Sequence, residues 1–187
     1  MKIGILAVQG AFEEHRRMID SLGEESVLLR QKSDIQGLDG IILPGGESTV
    51  QGKLLKELDM MTDIRELIKK GTPVLATCAG LILLADHLSN DANVYFGTLP
   101  VTVRRNAYGR QLGSFQTKGR VGGFEDFTMS FIRAPIIESV SKDVRILATV
   151  EDHIVAVQYG KQIGLSFHPE LGNDFRIHSY FLELGKT

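Results

Sequence analysis

The stretch Pro73–Ala85, PVLATCAGLILLA, decides the fold, because it predicts a strand, a sharp turn and a helix in immediate succession. Its apolar first part predicts a buried strand over Val74–Thr77, and its last part begins a helix predicted over Leu81–Leu88. Cys78 lies at the apex of the turn between them. Gly80 follows two residues later and removes a side chain that would crowd the turn.

The first half of the chain repeats this alternation of strand and helix. The strands are rich in β-branched residues and apolar throughout, and the helices carry apolar residues at helical spacing. Such a pattern predicts a mostly parallel sheet that is covered by helices on both faces. The predicted strands are Ile3–Val8, Ser26–Leu29 and Gly40–Leu43, and the predicted helices are Phe12–Leu22, Ser48–Met61 and Thr62–Lys70.

The second half changes to short strands separated by turns, which is typical of antiparallel pairing. A helix over Asp174–Leu184 follows, and Asn106–Gly123, rich in Gly, Arg and Gln, is predicted to be a mobile loop. We therefore expect one domain over residues 1–187, with three layers and antiparallel strands in its second half. The predicted strands here are Pro100–Arg104, Phe127–Ile132, Val144–Val150, Ile154–Tyr159 and Gln162–Phe167.

Composition excludes several classes of protein. The net charge is −2 with no long run of either sign, which argues against a nucleic-acid-binding protein. A single cysteine cannot form an internal disulfide, so a reducing compartment is expected. The apolar run Ile3–Val8 is too short for a signal peptide, and no segment is long enough to span a bilayer. These features predict a cytoplasmic protein without a membrane partner.

Cys78 is a candidate nucleophile because of where it lies. A buried lone cysteine is usually a small hydrophobic residue of the core. At a strand-to-helix turn, however, its side chain projects from the sheet, and the N–H groups of the helix N-terminus favour the thiolate. The N–H of Ala79 would then face the oxygen of an attacked carbonyl.

A thiolate nucleophile needs a base that is held in orientation. His168 fits, because it follows the last predicted strand and Pro169 keeps it extended, so that Glu170 points the same way and reaches the ring. The ends of parallel strands share one edge, where Cys78 and His168 can meet. The remaining histidines are interpreted as surface or packing residues: His15, His87, His153 and His178.

The segment Pro44–Ser48, PGGES, also follows a predicted strand and opens a helix. One interpretation is a plain turn with Ser48 as the helix cap. The other, about equally supported, is that Gly45 and Gly46 bring backbone N–H groups to a ligand as a second oxyanion donor. A phosphate-binding loop is excluded, because Glu47 and Leu54 occupy positions that it needs for other residues.

With these motifs in this order, the chain resembles the class I (triad) glutamine amidotransferases. Within that family it is most similar to the members that supply ammonia for pyridoxal 5′-phosphate (vitamin B6) synthesis. The resemblance covers nearly the whole chain and implies a flavodoxin-like fold. It rests on GILAVQGAFEEH, LPGGEST, TCAGLILLA, VRRNAYGRQ, FIRAP, SFHPEL and DFRIHSYF.

The resemblance implies hydrolysis of L-glutamine to L-glutamate and ammonia through a thioester, without a metal or a cofactor. It implies Cys78 as nucleophile, His168 as general acid and base, and Glu170 as the orienting carboxylate. It further implies a synthase subunit as partner in a hetero-oligomer. The substrate-binding residues that it implies are Gly46, Glu47, Ser48, Arg105, Ile132 and Arg133, and the oxyanion donors are Gly45, Gly46 and Ala79.

Three alternatives remain at this point. The chain could serve a synthase for another product, since the triad alone does not distinguish these. It could be a cysteine hydrolase of γ-glutamyl peptides, which uses the same turn. It could also be a flavodoxin-like binding module in which the thiol is inert.

Overall fold

The computed structural model describes residues 1–106 and 114–187, and these ranges contain a large central sheet, a separate strand pair and five α-helices. The strands are β1 (Lys2–Leu6), β2 (Glu25–Leu29), β3 (Gly40–Leu43), β4 (Val74–Thr77), β5 (Ala85–Leu88), β6 (Leu99–Arg104), β7 (Ser114–Val121), β8 (Phe124–Ile132), β9 (Ile136–Val140), β10 (Arg145–Val150), β11 (His153–Tyr159) and β12 (Gln162–Leu165). The helices are α1 (Phe12–Ser21), α2 (Ser48–Glu57), α3 (Met61–Lys69), α4 (Ala79–Leu84) and α5 (Arg176–Lys186), with 3₁₀ turns at Lys32–Ile35 and Pro169–Leu171.

The central sheet has a parallel half and a mixed half. Its order is β2-β1-β3-β4-β12-β11-β9-β6-β5, with β10 paired to β11. The strands from β2 to β12 are all parallel, whereas β11 pairs antiparallel with β12, β10 and β9. The predicted α/β architecture, with antiparallel strands in the second half, is confirmed.

Alternate residues of the parallel strands face two separate cores. On β4, Val74 and Ala76 pack into the core that α2, α3 and α4 cover, whereas Leu75 points into the core on the other face. That second core is closed by α1, α5 and the β7–β8 pair through residues such as Ile19 and Phe181. Burial on both faces explains why these strands read as continuous apolar runs.

The apolar N-terminal run forms β1, a buried strand of the central sheet, as predicted. Ile3, Ile5 and Leu6 on it are fully buried. Across residues 1–106 and 114–187, no helix combines the length and the apolarity that crossing a membrane requires.

The helix predicted over Leu81–Leu88 is wrong in its second half. The helix ends at Leu84, and Ala85–Leu88 forms β5, which pairs in parallel with β6 at the edge of the sheet. Local propensity is a weak guide where a neighbouring strand offers backbone hydrogen bonds. That partner follows later in the chain, so the local pattern carries no sign of it.

The predicted mobile loop Asn106–Gly123 is also partly wrong. Residues 107–113 lie outside the described residues, but Ser114–Val121 forms β7, antiparallel to β8. The strand is mostly polar, and the ring of Phe115 stacks on Phe131 with 4.6 Å between the ring centres. Besides strand pairing, only Phe115 and Val121 of β7 pack against the apolar core, so the strand shows little apolar signal in the sequence. The short strand β9 was likewise not predicted.

The parallel half of the sheet brings four loops to one edge. The chain leaves the carboxyl ends of β1, β3, β4 and β12 at this edge, where α/β proteins bind their ligands. Those four loops carry the residues from which the candidate site is built.

Candidate active site

Cys78 lies alone between β4 and α4, and its backbone is strained. Its φ of 50° and ψ of −103° belong to a region that L-residues rarely adopt, at a cost of about 1–3 kcal/mol. A Cβ on Gly80 would lie 2.0 Å from the carbonyl oxygen of Leu43, so only glycine fits there. The predicted strand–turn–helix elbow is confirmed, and it presents the thiol at the sheet edge.

His168 follows β12 and faces the same edge. Its backbone N–H donates to the carbonyl oxygen of Ser130 at 2.8 Å, and its side chain is 8% exposed. Its Nδ1 lies 2.6 Å from Oε1 of Glu170, so the predicted contact is confirmed. The predicted route to it was wrong: Glu170 is in the 3₁₀ turn Pro169–Leu171 rather than in extended chain. Proline at the start of that turn favours it, because its φ is already helical.

The charges of this group are set by its contacts. Burial by itself would lower the pKa of the His168 ring, but the neighbouring Cys78 side chain and the carboxylate of Glu170 raise that pKa to about 10. Burial opposes ionisation of Glu170 as well. The hydrogen bond with the His168 ring and its positive charge nevertheless hold the pKa of this carboxyl below its ordinary value. At neutral pH the pair is therefore an imidazolium and a carboxylate.

A cavity of about 560 Å³ opens beside the thiol and the imidazole. Arg105, one of its lining residues, donates from Nη1 to Oδ2 of Asp91 at 2.6 Å, which fixes the guanidinium at the cavity wall. The structure brings all the sequence-predicted substrate residues to this cavity. Those residues are Gly46, Glu47, Ser48, Arg105, Ile132 and Arg133.

The loop after β3 packs directly against the two reactive side chains. A Cβ on Gly45 would lie 2.4 Å from Cε1 of His168 and 3.4 Å from Cβ of Cys78, so glycine is required for this approach. The N–H of Gly45 donates to Oγ1 of Thr77 at 3.1 Å, and its carbonyl accepts from the N–H of Ala11 at 2.9 Å. In this arrangement the Gly45 N–H, a predicted oxyanion donor, is engaged elsewhere. The other two predicted donors, Gly46 and Ala79, line the cavity.

The loop after β1 also belongs to the site, although no site role was predicted for it. Gln9 lines the cavity, and its Oε1 accepts from the N–H of Glu47 at 2.8 Å. Nε2 of Gln51 donates to the backbone oxygens of Gln9 and Pro44 at 3.0 and 3.1 Å, which ties the two loops together. The available signal was position: Gln9 follows a parallel strand at its carboxyl end.

His15 and His178, which the sequence indicates are surface or packing residues, are both completely buried. His15 Nδ1 lies 2.9 Å from His178 Nε2, and its Nε2 lies 3.2 Å from Oγ1 of Thr77. The same Nε2 lies 3.5 Å from Oε2 of Glu170. The two rings therefore lie directly behind the His168–Glu170 pair.

These rings make stability pH-dependent. Burial holds the pKa of both His15 and His178 below the ordinary 6.5. Below that pH the two rings become protonated in the unfolded chain but stay neutral in the folded chain. The free energy of unfolding therefore falls as the solution is acidified. Each ring accounts for up to about 1.4 kcal/mol per pH unit. His168 has a raised pKa, so its contribution is complete below 6.5 and is lost only as the pH rises.

We therefore expect the free energy of unfolding to decrease steadily between about pH 6.5 and pH 5.5, above the range in which carboxylates titrate. Denaturant unfolding across this range measures it. Replacing His178 with leucine should remove about half of the slope, whereas replacing the exposed His87 with glutamine is the matched control and should leave it unchanged. A flat profile for the unmodified chain would contradict the neutral state of the two rings.

The chain is similar to known glutamine amidotransferases in both sequence and structure. The model of the SNO glutamine amidotransferase family matches residues 5–186. The chain is 61% identical over 184 residues to pyridoxal 5′-phosphate synthase subunit PdxT of Desulfitobacterium hafniense, covering 98% of this chain and 92% of that one. It is 54% identical over 191 residues to the subunit of the same name from Haemophilus influenzae, covering 100% of both. A solved structure described as a glutamine amidotransferase superimposes with a TM-score of 0.94 at 41% identity, covering 99% of each chain.

Proposed function

Because this chain belongs to the SNO glutamine amidotransferase family, we propose that its single domain, residues 1–187, hydrolyses L-glutamine to L-glutamate and ammonia. The ammonia is passed to the synthase subunit of a pyridoxal 5′-phosphate synthase, as the name of its relatives indicates. The observation that carries the proposal is the arrangement of thiol, imidazole and carboxylate beside the cavity: Cys78 and His168 on its wall, and Glu170 bound to the ring from behind.

The first half of the reaction forms a thioester. The thiolate of Cys78 attacks the side-chain amide carbon of glutamine, and the carbonyl electron pair moves to the oxygen. When the tetrahedral intermediate collapses, the bond to nitrogen breaks and His168 gives its proton to the departing ammonia. The raised pKa of His168 means that the ring carries this proton at neutral pH.

The second half releases glutamate. His168, now neutral, takes a proton from a water molecule, and the oxygen of that water attacks the thioester carbon. The carbon–sulfur bond then breaks and regenerates the thiolate. Glu170 stabilises the imidazolium and keeps Nδ1 protonated through its 2.6 Å contact.

The oxyanion is stabilised by backbone N–H groups. Ala79 is the first residue of α4, so its N–H has no partner within the helix and is available to the developing charge. Gly46 on the facing loop lines the same cavity. The N–H of Gly45 joins them only if the loop turns away from Thr77, to which it is bonded here.

Charged groups of the cavity suit a free amino acid. Arg105 and Arg133 offer guanidinium forks to the α-carboxylate of glutamine, and Glu47 offers a carboxylate to its α-amino group. The pairing of Arg105 with Asp91 leaves its remaining N–H groups for a ligand. A substrate with a blocked α-amino group cannot pair with Glu47 in this way and should be hydrolysed more slowly, which tests the placement of the α end. A γ-glutamyl peptide keeps the same α end, so its rate is compared directly with that of glutamine.

Ammonia is useful only when it is delivered unprotonated, and water at neutral pH protonates it. A glutaminase of this size therefore makes sense as the ammonia source of a synthase partner in the cytoplasm. Docking of that partner is proposed to complete the oxyanion site through the Gly45–Gly46 loop.

The test is ammonia release from glutamine with and without the purified synthase subunit. We expect a rate about 10²-fold lower without the synthase, which is the effect of one missing oxyanion donor. Equal rates would contradict the role of docking. Absence of ammonia in both samples would contradict the glutaminase assignment. If only a synthase for another product increased the rate of ammonia release by this chain, that synthase would be the partner.

A further inference from the structure

Two buried imidazole rings, His15 on α1 and His178 on α5, lie behind the proposed triad and take no part in its bond-making steps. Both rings are fully buried. A buried imidazole has two nitrogens that each need a partner, and an unpaired one lowers stability. The contacts of their ring nitrogens therefore indicate which neighbouring groups the two rings position.

The unusual partner is the second oxygen of Glu170. Its Oε1 is bound to His168, whereas Oε2 is completely buried and makes no conventional hydrogen bond within the described ranges. An ionised oxygen that is buried without a partner is strongly destabilising. Nε2 of His15, at 3.5 Å, is the nitrogen that faces it.

The tautomer of His15 follows from this contact. With the proton on Nε2, His15 donates toward Glu170 Oε2, and its Nδ1 accepts a hydrogen bond from Nε2–H of His178 at 2.9 Å. The opposite tautomer would point a lone pair at the carboxylate. It would also leave an N–H of His178 buried without a partner, since Nδ1 of His178 makes no hydrogen bond within the described residues. Only the first arrangement directs an N–H of His15 toward the negative charge of Glu170.

The same N–H lies between two oxygens, because Nε2 is also 3.2 Å from Oγ1 of Thr77. That hydroxyl accepts the N–H of Gly45 at 3.1 Å. Thr77 is the residue directly before the nucleophile. The ring of His15 therefore contacts both the carboxylate of the triad and the group that holds the loop beside the thiol.

We propose that His15, as a neutral imidazole with its proton on Nε2, is a positioning residue that holds the second oxygen of Glu170. Through Thr77 it also restrains the loop at Gly45, and His178 fixes its tautomer. This rests on the proposed glutaminase function, because the residue acts through Glu170 on His168. His15 does not line the cavity and therefore does not touch the substrate.

Replacing His15 with leucine in the glutaminase–synthase complex should lower kcat for ammonia release by about 10–100-fold, as for other groups that orient a reactive side chain. KM for glutamine should change less than about threefold, because binding is not affected. Replacing His15 with glutamine keeps an N–H donor near the position of Nε2 and should restore kcat to within about fivefold of the unmodified complex. A leucine variant with unchanged kcat, or a glutamine variant as slow as the leucine variant, would overturn the proposal.

A double substitution separates positioning from core packing. In a Glu170→Gln background, His15→Leu should lower kcat less than about threefold, because the group it positions is already lost. The same 10–100-fold loss in both backgrounds would mean that His15 acts through general packing. If the leucine variant melts below the assay temperature, the same comparison is made with His15→Met, which also lacks a nitrogen donor and adapts its shape to the core.

Nitrogen-15 NMR of the labelled histidine rings tests the tautomer without any activity. We expect the proton of His15 on Nε2, and a proton on Nδ1 would overturn the proposal. Absence of ammonia release by the unmodified complex would instead overturn the glutaminase function, so the two failures are distinguishable.

Discussion

Replacing Cys78 with alanine is expected to lower ammonia release from glutamine by about 10⁶-fold, since in a nucleophile–base unit the loss of the nucleophile removes the whole covalent route. No other residue can take over, because Cys78 is the one cysteine of the sequence. The change removes a single sulfur atom from a side chain that is 8% exposed, so the fold should persist.

Two measurements accompany this variant. Glutamine binding followed by calorimetry should be retained, since the cavity lining is otherwise unchanged. A glutamine-mimicking electrophile should label the unmodified chain once and the alanine variant not at all, which also excludes an inert thiol. Ammonia release above about one per cent of the unmodified rate would refute Cys78 as the nucleophile.

Replacing Glu170 with glutamine should lower kcat by about 10⁴-fold while leaving KM nearly unchanged. The amide has almost the shape of the carboxylate but no charge, so it can neither stabilise the imidazolium nor select the ring tautomer. Part of the rise in the His168 pKa to about 10 comes from Glu170. That pKa should therefore fall in the variant, as NMR titration of the ring would measure.

The matched control is Glu57→Gln, which removes the same charge from an exposed position on α2. We expect it to leave kcat and the His168 titration unchanged. If Glu170→Gln remained within about tenfold of the unmodified rate, or if the His168 pKa did not move, Glu170 would not be the orienting carboxylate.

The sequence predicted those parts of the site that short segments determine. The turn at Cys78 is dictated by an apolar strand, a glycine and an apolar helix that follow one another directly. The pair His168 and Glu170 is separated by one proline, so the contact needs only a local turn. Gly45 and Gly46 directly follow a predicted strand, so their place at the edge of the sheet also depends only on neighbouring residues.

Other parts depended on residues that are distant along the chain. β5 became a strand because β6 pairs with it, and β7 because β8 does. The N–H of Gly45, expected to point at the oxyanion, is instead bonded to Thr77. In each case hydrogen bonds with a distant segment decided the structure in place of the local conformational preference.

The sequence by itself determined the α/β fold, the elbow at Cys78 and the His168–Glu170 pair, because periodicity and turn chemistry act over a few neighbouring residues. Only the tertiary structure decided that His15 and His178, which are 163 positions apart, meet behind Glu170. Burial there removes water as a partner, so the carboxylate and the rings must pair with one another. Which groups share such a closed space is fixed by the packing of α1 and α5 against the sheet, and no local pattern encodes it.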